Sequence, residues 1–93
     1  MIRHVVLCKT SKGAPLGEIK EKIEALKEKI DIIRHIEVGI DIGFDKNPSD
    51  FCIITEVDNL KDLQTYATHP EHLKVIEYLK KFLTERRAVD YNV

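Results

Sequence analysis

The sequence lacks both a membrane-spanning segment and a nucleic-acid-binding patch. No apolar run approaches the roughly 18–20 residues that a membrane-spanning helix needs. The formal net charge is only −1, with acidic and basic residues interspersed along the chain. No basic patch with interleaved aromatic residues occurs, which argues against a nucleic-acid partner. We expect a soluble protein whose partners are neither membranes nor nucleic acids.

Cysteine is scarce, and Cys8 and Cys52 are the only two. Both lie inside apolar runs, where a free thiol behaves as a small hydrophobic side chain. A catalytic thiol needs an exposed, electropositive setting, which neither run offers. The amino terminus leads directly into a strand-like run and lacks the longer apolar region of a signal peptide. We therefore predict a cytoplasmic protein, in which a disulfide is not expected.

Hydrophobic periodicity predicts strands and helices in one domain, residues 1–93. The apolar spacing at Ile19, Ile23, Leu26 and Ile30 marks one face of a helix. The predicted elements are a strand at 2–9, a helix from 16 to about 31, strands at 36–42 and 51–57, helices at about 60–68 and 70–83, and a strand at 87–93. This order predicts an α+β, ferredoxin-like β-α-β-β-α-β subunit with helices covering one face of an antiparallel sheet.

The first predicted strand is apolar on both of its faces. Alternation places His4 and Val6 on one face and Val5 and Leu7 on the other. Since the helices cover only one face of the sheet, the second face needs another partner. We expect a homodimer in which two subunits pack sheet to sheet.

Residues 66–72, Tyr-Ala-Thr-His-Pro-Glu-His, form the most informative stretch. Pro70 is suited to the first position of a helix and disrupts a helix interior, so one helix should end near residue 68 and another begin at Pro70. His69 would then occupy the capping position and His72 the first turn. Such a break brings the Tyr66 hydroxyl and a titratable imidazole together.

Four pieces of the sequence resemble the stress-responsive dimeric alpha–beta barrel (Dabb) family. They occur in the family's order and span nearly the whole chain. They are Ile2-Arg3-His4-Val5-Val6-Leu7, Glu37-Val38-Gly39, Tyr66 with His69-Pro70-Glu71-His72-Leu73, and Val89-Asp90-Tyr91. The resemblance implies a ferredoxin-like subunit that forms a homodimeric barrel and needs no cofactor. Most members of the family have no assigned activity.

The resemblance also implies roles for particular residues. A plant branch of the family includes polyketide cyclases, which close an aromatic ring by an aldol-type condensation. By this resemblance, Tyr66 and His72 would perform acid–base chemistry, and His4 would line the same cavity. Phe51 occupies the position of a further cavity histidine and is expected to contact the substrate. The chain departs from positions that are often aromatic in the family at Cys8, Thr10 and Ser49.

Several uses of the site residues remain open. His72 could abstract a proton next to a carbonyl, with Tyr66 holding the enolate oxygen. It could instead bind a ligand without chemistry, or only hydrogen-bond a backbone carbonyl and help to dock its helix. A metal held by His4, His69, Glu71 and His72 is not predicted, because zinc sites prefer histidines four residues apart on one helix or cysteine pairs.

Three functions follow from these alternatives, and the sequence leaves open whether the protein is an enzyme. The first is binding of a small carbonyl or aromatic molecule in a cavity between helices and sheet, with cofactor-free acid–base chemistry such as aldol cyclisation. The second is a non-catalytic, stress-related structural or assembly module, which predicts a filled core. The third and weaker alternative is a cofactor-free, monooxygenase-like enzyme.

Overall fold

In a computed structural model that describes residues 1–93, four helices cover one face of a four-stranded antiparallel sheet. The strands lie in the order β2-β3-β1-β4. The elements are β1 (Ile2–Thr10), α1 (Leu16–Glu24), α2 (Leu26–Lys29), β2 (His35–Ile40), β3 (Phe51–Val57), α3 (Leu60–Thr68), α4 (Pro70–Leu79) and β4 (Leu83–Asn92). The predicted ferredoxin-like fold is confirmed. None of the helices has both the length and the apolar character that crossing a membrane requires.

Strand β1 lies in the middle of the sheet and pairs with β3 on one side and β4 on the other. Because side chains alternate along a strand, Val6 and Cys8 point towards the helices, and both are buried. Val5 and Leu7 point to the opposite face, where Leu7 is 47% exposed. The two-faced character predicted for this strand is therefore confirmed.

The helices bury their predicted apolar faces in two adjoining clusters. Ile19 and Ile23 of α1 pack with Val6, Val38 and Phe51 of the sheet. The second cluster joins Leu26, Ile30, Ile33 and Tyr66. The single helix predicted for residues 16 to about 31 is divided into α1 and α2 at Ala25, yet all four of its apolar marker positions are buried.

The second strand was predicted too long at its carboxyl end. Strand β2 ends at Ile40, opposite Phe51 at the start of β3, and one further backbone hydrogen bond of 2.9 Å joins the Asp41 N–H to the Asp50 carbonyl. Ile42 lies beyond the strand and is 91% exposed. The Asp41 carboxylate accepts a hydrogen bond of 2.8 Å from the Gly43 N–H. Gly43 has φ of 86°, a conformation that glycine adopts without steric cost, so the chain turns away here.

The boundary between the last helix and the last strand was predicted too late. Helix α4 ends at Leu79 and β4 begins at Leu83, whereas the sequence placed Leu83 in the helix and the strand start at Arg87. Strand β4 is longer because it pairs along the whole of β1, which outweighs the weak strand preference of charged residues. From the apolar spacing we expected Leu73 on the buried face of α4, and this was wrong. Its side chain is 50% exposed, because Val75 and Leu79 of α4 pack in the core cluster instead.

Helices α3 and α4 each begin with a side-chain cap, and the cap of α4 at His69 is the predicted one. Asn59 precedes α3, and its side chain accepts a hydrogen bond of 2.8 Å from the Asp62 N–H. Pro70 is the first residue of α4, and His69 before it is extended, with φ of −63° and ψ of 135°. His69 Nδ1 accepts a hydrogen bond of 3.1 Å from the Glu71 N–H. His69 is therefore the N-cap of α4.

We predict that His69→Ala lowers the free energy of unfolding by about 1 kcal/mol, because the Glu71 N–H loses its acceptor. His69→Asn should retain most of the stability, since asparagine is a preferred N-cap. Urea denaturation of the three proteins measures the difference. The control is His35→Ala, which removes an exposed histidine and should change stability by less than about 0.5 kcal/mol. An equal loss in His69→Ala and His35→Ala would contradict the capping role.

Candidate functional site

A cavity of about 380 Å³ lies between the inner face of the sheet and helix α4. Its volume is within the range of small-molecule sites. Most of its wall is apolar, and its polar groups come from β1, α3, α4, β4 and the turn after α4. The lining residues are His4, Val6, Cys8, Ile53, Tyr66, His72, Ile76, Leu79, Lys80, Leu83 and Arg86. The cavity therefore combines an apolar body with a few convergent polar side chains.

Three of the four predicted site residues meet in this cavity. The ring centroids of Tyr66 and His72 are 4.3 Å apart, and those of Tyr66 and His4 are 6.2 Å apart. Phe51, which we expected at the substrate, does not line this cavity. Its side chain is 2% exposed and belongs to the core cluster that includes Ile19 of α1. The start of β3 packs under α1, whereas the helical residues that line the cavity belong to α3 and α4.

His72 has a defined tautomer because of a single hydrogen bond. Its Nδ1 is 3.0 Å from the backbone oxygen of Ala67. A carbonyl oxygen can only accept, so Nδ1 carries the proton and donates it. In the neutral ring, Nε2 then holds an unshared electron pair. This is the arrangement that a general base requires.

The surroundings of His72 favour its neutral form. Burial is the largest cause that lowers the pKa of His72 from its ordinary 6.5, and the hydrogen bond to Ala67 opposes it. The neighbouring groups of His4, Arg86 and His69 lower the pKa further. His72 is therefore an uncharged base at neutral pH.

Tyr66 provides a hydroxyl beside this base. Its ring packs among Leu26, Ile30 and Ile33, which orders the side chain. The Thr55 hydroxyl, which is fully buried, lies 3.5 Å from the Tyr66 oxygen. Burial raises the pKa of Tyr66, so the phenol keeps its proton at neutral pH. A protonated phenol can donate a hydrogen bond to a ligand oxygen.

His4 is held by an acidic residue of the neighbouring strand. His4 and Asp90 are paired across β1 and β4, and His4 Nδ1 donates a hydrogen bond to the Asp90 carboxylate. This contact fixes the ring and leaves Nε2 as its free nitrogen. The sequence marked Asp90 only as part of a family motif. Its partner could not be identified before the register of the two strands was known.

Arg86 and Lys80 also line the cavity, and sequence reasoning missed both. The strand was predicted to begin at Arg87, so Arg86 fell outside it. With β4 beginning at Leu83, alternation places Arg86 on the same face as Asp90. The signal that could have found Arg86 was a correct strand boundary.

The two cysteines of the chain form no disulfide. Cys8 lines the cavity, and burial raises the pKa of its thiol to about 11, so it stays protonated. Cys8 and Cys52 are both free cysteines. No group of three or more histidine, cysteine, aspartate or glutamate side chains is arranged to hold a metal ion.

A ferredoxin-like subunit with a cavity between sheet and helices is a recognised class of small domain, and this chain can be placed within it. A family model of the stress responsive A/B barrel domain matches residues 2–93. The chain belongs to this family, as the four sequence pieces implied.

Comparison with known proteins gives relatives of nearly the same length. An uncharacterized protein of Streptomyces coelicolor is 32% identical over 89 residues, which cover 90% of this chain and 92% of the relative. A dimeric protein of unknown function and ferredoxin-like fold from Bacteroides fragilis is 37% identical, with a TM-score of 0.85 over 99% of this chain and 95% of that one. A hydroxynitrile lyase of Passiflora edulis shares the fold, with a TM-score of 0.86 and 13% identity over 99% and 92% of the two chains.

We predict that the lowered pKa of His72 makes the protein less stable as pH falls. The unfolded state takes up a proton near pH 6.5, whereas the folded state takes it up only at lower pH. Folding free energy is therefore lost progressively as pH falls below 6.5 towards the folded pKa. His72→Gln cannot be protonated and should lose less stability than the unsubstituted protein between about pH 7.5 and about pH 5.5.

Urea denaturation at the two pH values measures this difference, and Gln64→Ala, at an exposed position of α3 with no titratable side chain, is the matched control. The control should show the same pH dependence as the unsubstituted protein. A direct NMR titration of the His72 ring should give a midpoint below 6.5. A midpoint above that value would contradict the prediction.

Proposed function

We propose that this protein is a homodimer that binds a small carbonyl or aromatic molecule in the cavity and transfers a proton on it. One observation carries the proposal, namely the hydrogen bond of His72 Nδ1 to Ala67, which leaves Nε2 unprotonated in a ring whose centroid is 4.3 Å from that of Tyr66. A purely structural module predicts a filled core, and a cavity of about 380 Å³ supports binding instead.

The proposed chemistry uses only groups of this chain, so we expect no cofactor. His72 Nε2 removes a proton from the carbon next to the ligand carbonyl. The electron pair of that C–H bond forms a C=C bond, the π pair of the carbonyl moves onto its oxygen to give an enolate, and Tyr66 donates a hydrogen bond to this oxygen. The enolate carbon can then attack a second carbonyl of the same molecule. The proton on His72 neutralises the alkoxide that forms, and an aldol-type ring closure is complete.

His4 has a binding role in this proposal. The Asp90 carboxylate fixes the His4 ring. The His4 and Tyr66 rings form an edge-type contact with a centroid distance of 6.2 Å. A held histidine next to the phenol can hydrogen-bond a polar group of the ligand and orient it.

The monooxygenase-like alternative and the cytoplasmic location remain predictions from the sequence. No particular contact in the cavity favours oxygen chemistry over proton transfer.

The proposed dimer forms through the sheet face that the helices leave open. Val5 of β1 has Ile54 and Val89 as its lateral neighbours, and Leu7 has Cys52. Leu7 is 47% exposed and Val89 is 57% exposed in the subunit. A contiguous apolar patch of this kind marks an interaction surface. The relative from Bacteroides fragilis, which is described as dimeric, supports the proposal that this chain pairs with a second copy.

We predict that Leu7→Glu converts the dimer to a monomer, because burying a carboxylate in the interface costs more free energy than its lateral contact with Arg87 returns. Sedimentation equilibrium measures the subunit number. Leu73→Glu is the matched control, since Leu73 is 50% exposed on the helical side of the subunit. The control should remain dimeric. A dimeric Leu7→Glu protein would contradict the sheet-to-sheet arrangement.

We also predict that the protein accelerates hydrogen–deuterium exchange at the CH2 group next to the carbonyl of phenylacetone in D2O. The rate is followed by loss of the proton NMR signal. His72→Ala should reduce the protein-dependent rate by about 10²-fold or more, because the base is removed. Tyr66→Phe should reduce it less, since it removes a hydrogen bond to the enolate. His35→Ala should retain the full rate, and a His72→Ala protein as active as this control would overturn the proposed chemistry.

A further inference from the structure

The cavity contains a cation that no acidic residue of the subunit neutralises. Arg86 and Lys80 both line it, and none of the lining residues is acidic. Lys80 is paired with Glu77, with Nζ 3.1 Å from the carboxylate. Arg86 forms no ion pair within the subunit, whereas its neighbour Arg87 contacts Glu85 on the opposite face of β4. The guanidinium group of Arg86 is therefore available to a ligand.

The position of Arg86 in the sheet directs it to the ligand space. It is paired with Cys8 across β1 and β4, and the Cys8 side chain lies in the cavity wall. The positive charge of Arg86 acts on both proposed reactive groups. It lowers the pKa of His72 and opposes the rise in the pKa of Tyr66. An anionic group near Arg86 would thus lie in the same cavity as a carbonyl near His72.

The rest of the wall indicates the body of the ligand. Val6, Ile53, Ile76 and Leu79 line the space between sheet and helix with apolar surface. An apolar body against these side chains would leave an anionic end for Arg86. A carboxylate matches the planar guanidinium, because its two oxygens can accept two parallel hydrogen bonds.

We propose that the cavity selects carboxylic acids with an apolar alkyl or aryl body, and that the carboxylate forms an ion pair with Arg86. The inference rests on the proposed function and names the substrate class of that site. The reacting carbonyl lies near His72 and Tyr66, and the carboxylate lies at the β4 side. Arg86 is a specificity residue in this arrangement and takes no part in proton transfer.

Two probes of nearly the same shape, one anionic and one neutral, test this inference. They are 4-butylbenzoate and its neutral, nearly isosteric amide, 4-butylbenzamide. NMR titration of the isotope-labelled protein gives a Kd for each. We expect the carboxylate to bind about tenfold more tightly than the amide, as charge-assisted hydrogen bonds at a partly exposed site allow. The preference should shrink as salt is added, because the ion pair is screened.

The decisive variant is Arg86→Met, which retains an apolar stem and removes the guanidinium. It should bind the carboxylate about tenfold more weakly and the amide within about twofold of the original affinity. Retained amide binding shows that the variant has folded with its cavity intact. Lys61→Met is the control for net charge, because Lys61 lies on α3, forms no ion pair and does not line the cavity. It should leave both affinities unchanged.

The outcomes separate this inference from the proposed function. Equal binding of the two probes, or a carboxylate preference that survives in Arg86→Met, overturns the role of Arg86 and leaves the binding cavity standing. An equal loss of carboxylate affinity in Lys61→Met attributes the preference to net charge and also overturns the inference. Failure of both probes to bind overturns the inference together with small-molecule binding.

Discussion

The candidate site depends on the break between α3 and α4. In a continuous helix the Glu71 N–H would donate to the Ala67 carbonyl, four residues earlier. Pro70 is first in α4 and His69 is extended, so this bond is not made. The Glu71 N–H donates to His69 Nδ1 instead, and the Ala67 carbonyl accepts from His72 Nδ1. The interruption that requires a cap thus also supplies the acceptor that fixes the tautomer of the proposed base. The same two hydrogen bonds therefore stabilise the helix break and orient the proposed base.

The sheet gives this local arrangement its environment. Because β4 is an edge strand beyond β1, the helices leave a space above it that the core clusters do not fill. Burial in that space keeps His72 neutral and Tyr66 protonated, each in the form that proton transfer needs. Asp90 enters from the same edge strand and holds His4. The proposed site therefore combines a base of fixed tautomer, a hydrogen-bond donor and a held histidine, all positioned by regular secondary structure.

The sequence predicted the structure correctly where interactions between residues close in the chain decide it. Proline chemistry located the cap at His69 and the closeness of Tyr66 and His72, and periodicity identified the buried helix face. It was insufficient where a partner strand decides the outcome. The length of β4 follows from pairing with β1, so Arg86 was missed and the role of Asp90 was not identified. Phe51 was assigned from its family position alone, which does not reveal which helix covers the start of a strand, and it packs with the core cluster that includes Ile19 of α1.

The alternation of side chains along β1 has a consequence for how such proteins can diverge. Even-numbered residues from Ile2 to Cys8 face the helices and the cavity, and odd-numbered residues from Arg3 to Lys9 face the open side of the sheet. Under the proposed function, substitutions in the even set can alter which compound is recognised while the proposed dimer face keeps its side chains. Insertion of a single residue would exchange the two sets at once. Gene duplicates are therefore expected to acquire new specificities through point changes in this strand, and its length should be under strong purifying selection.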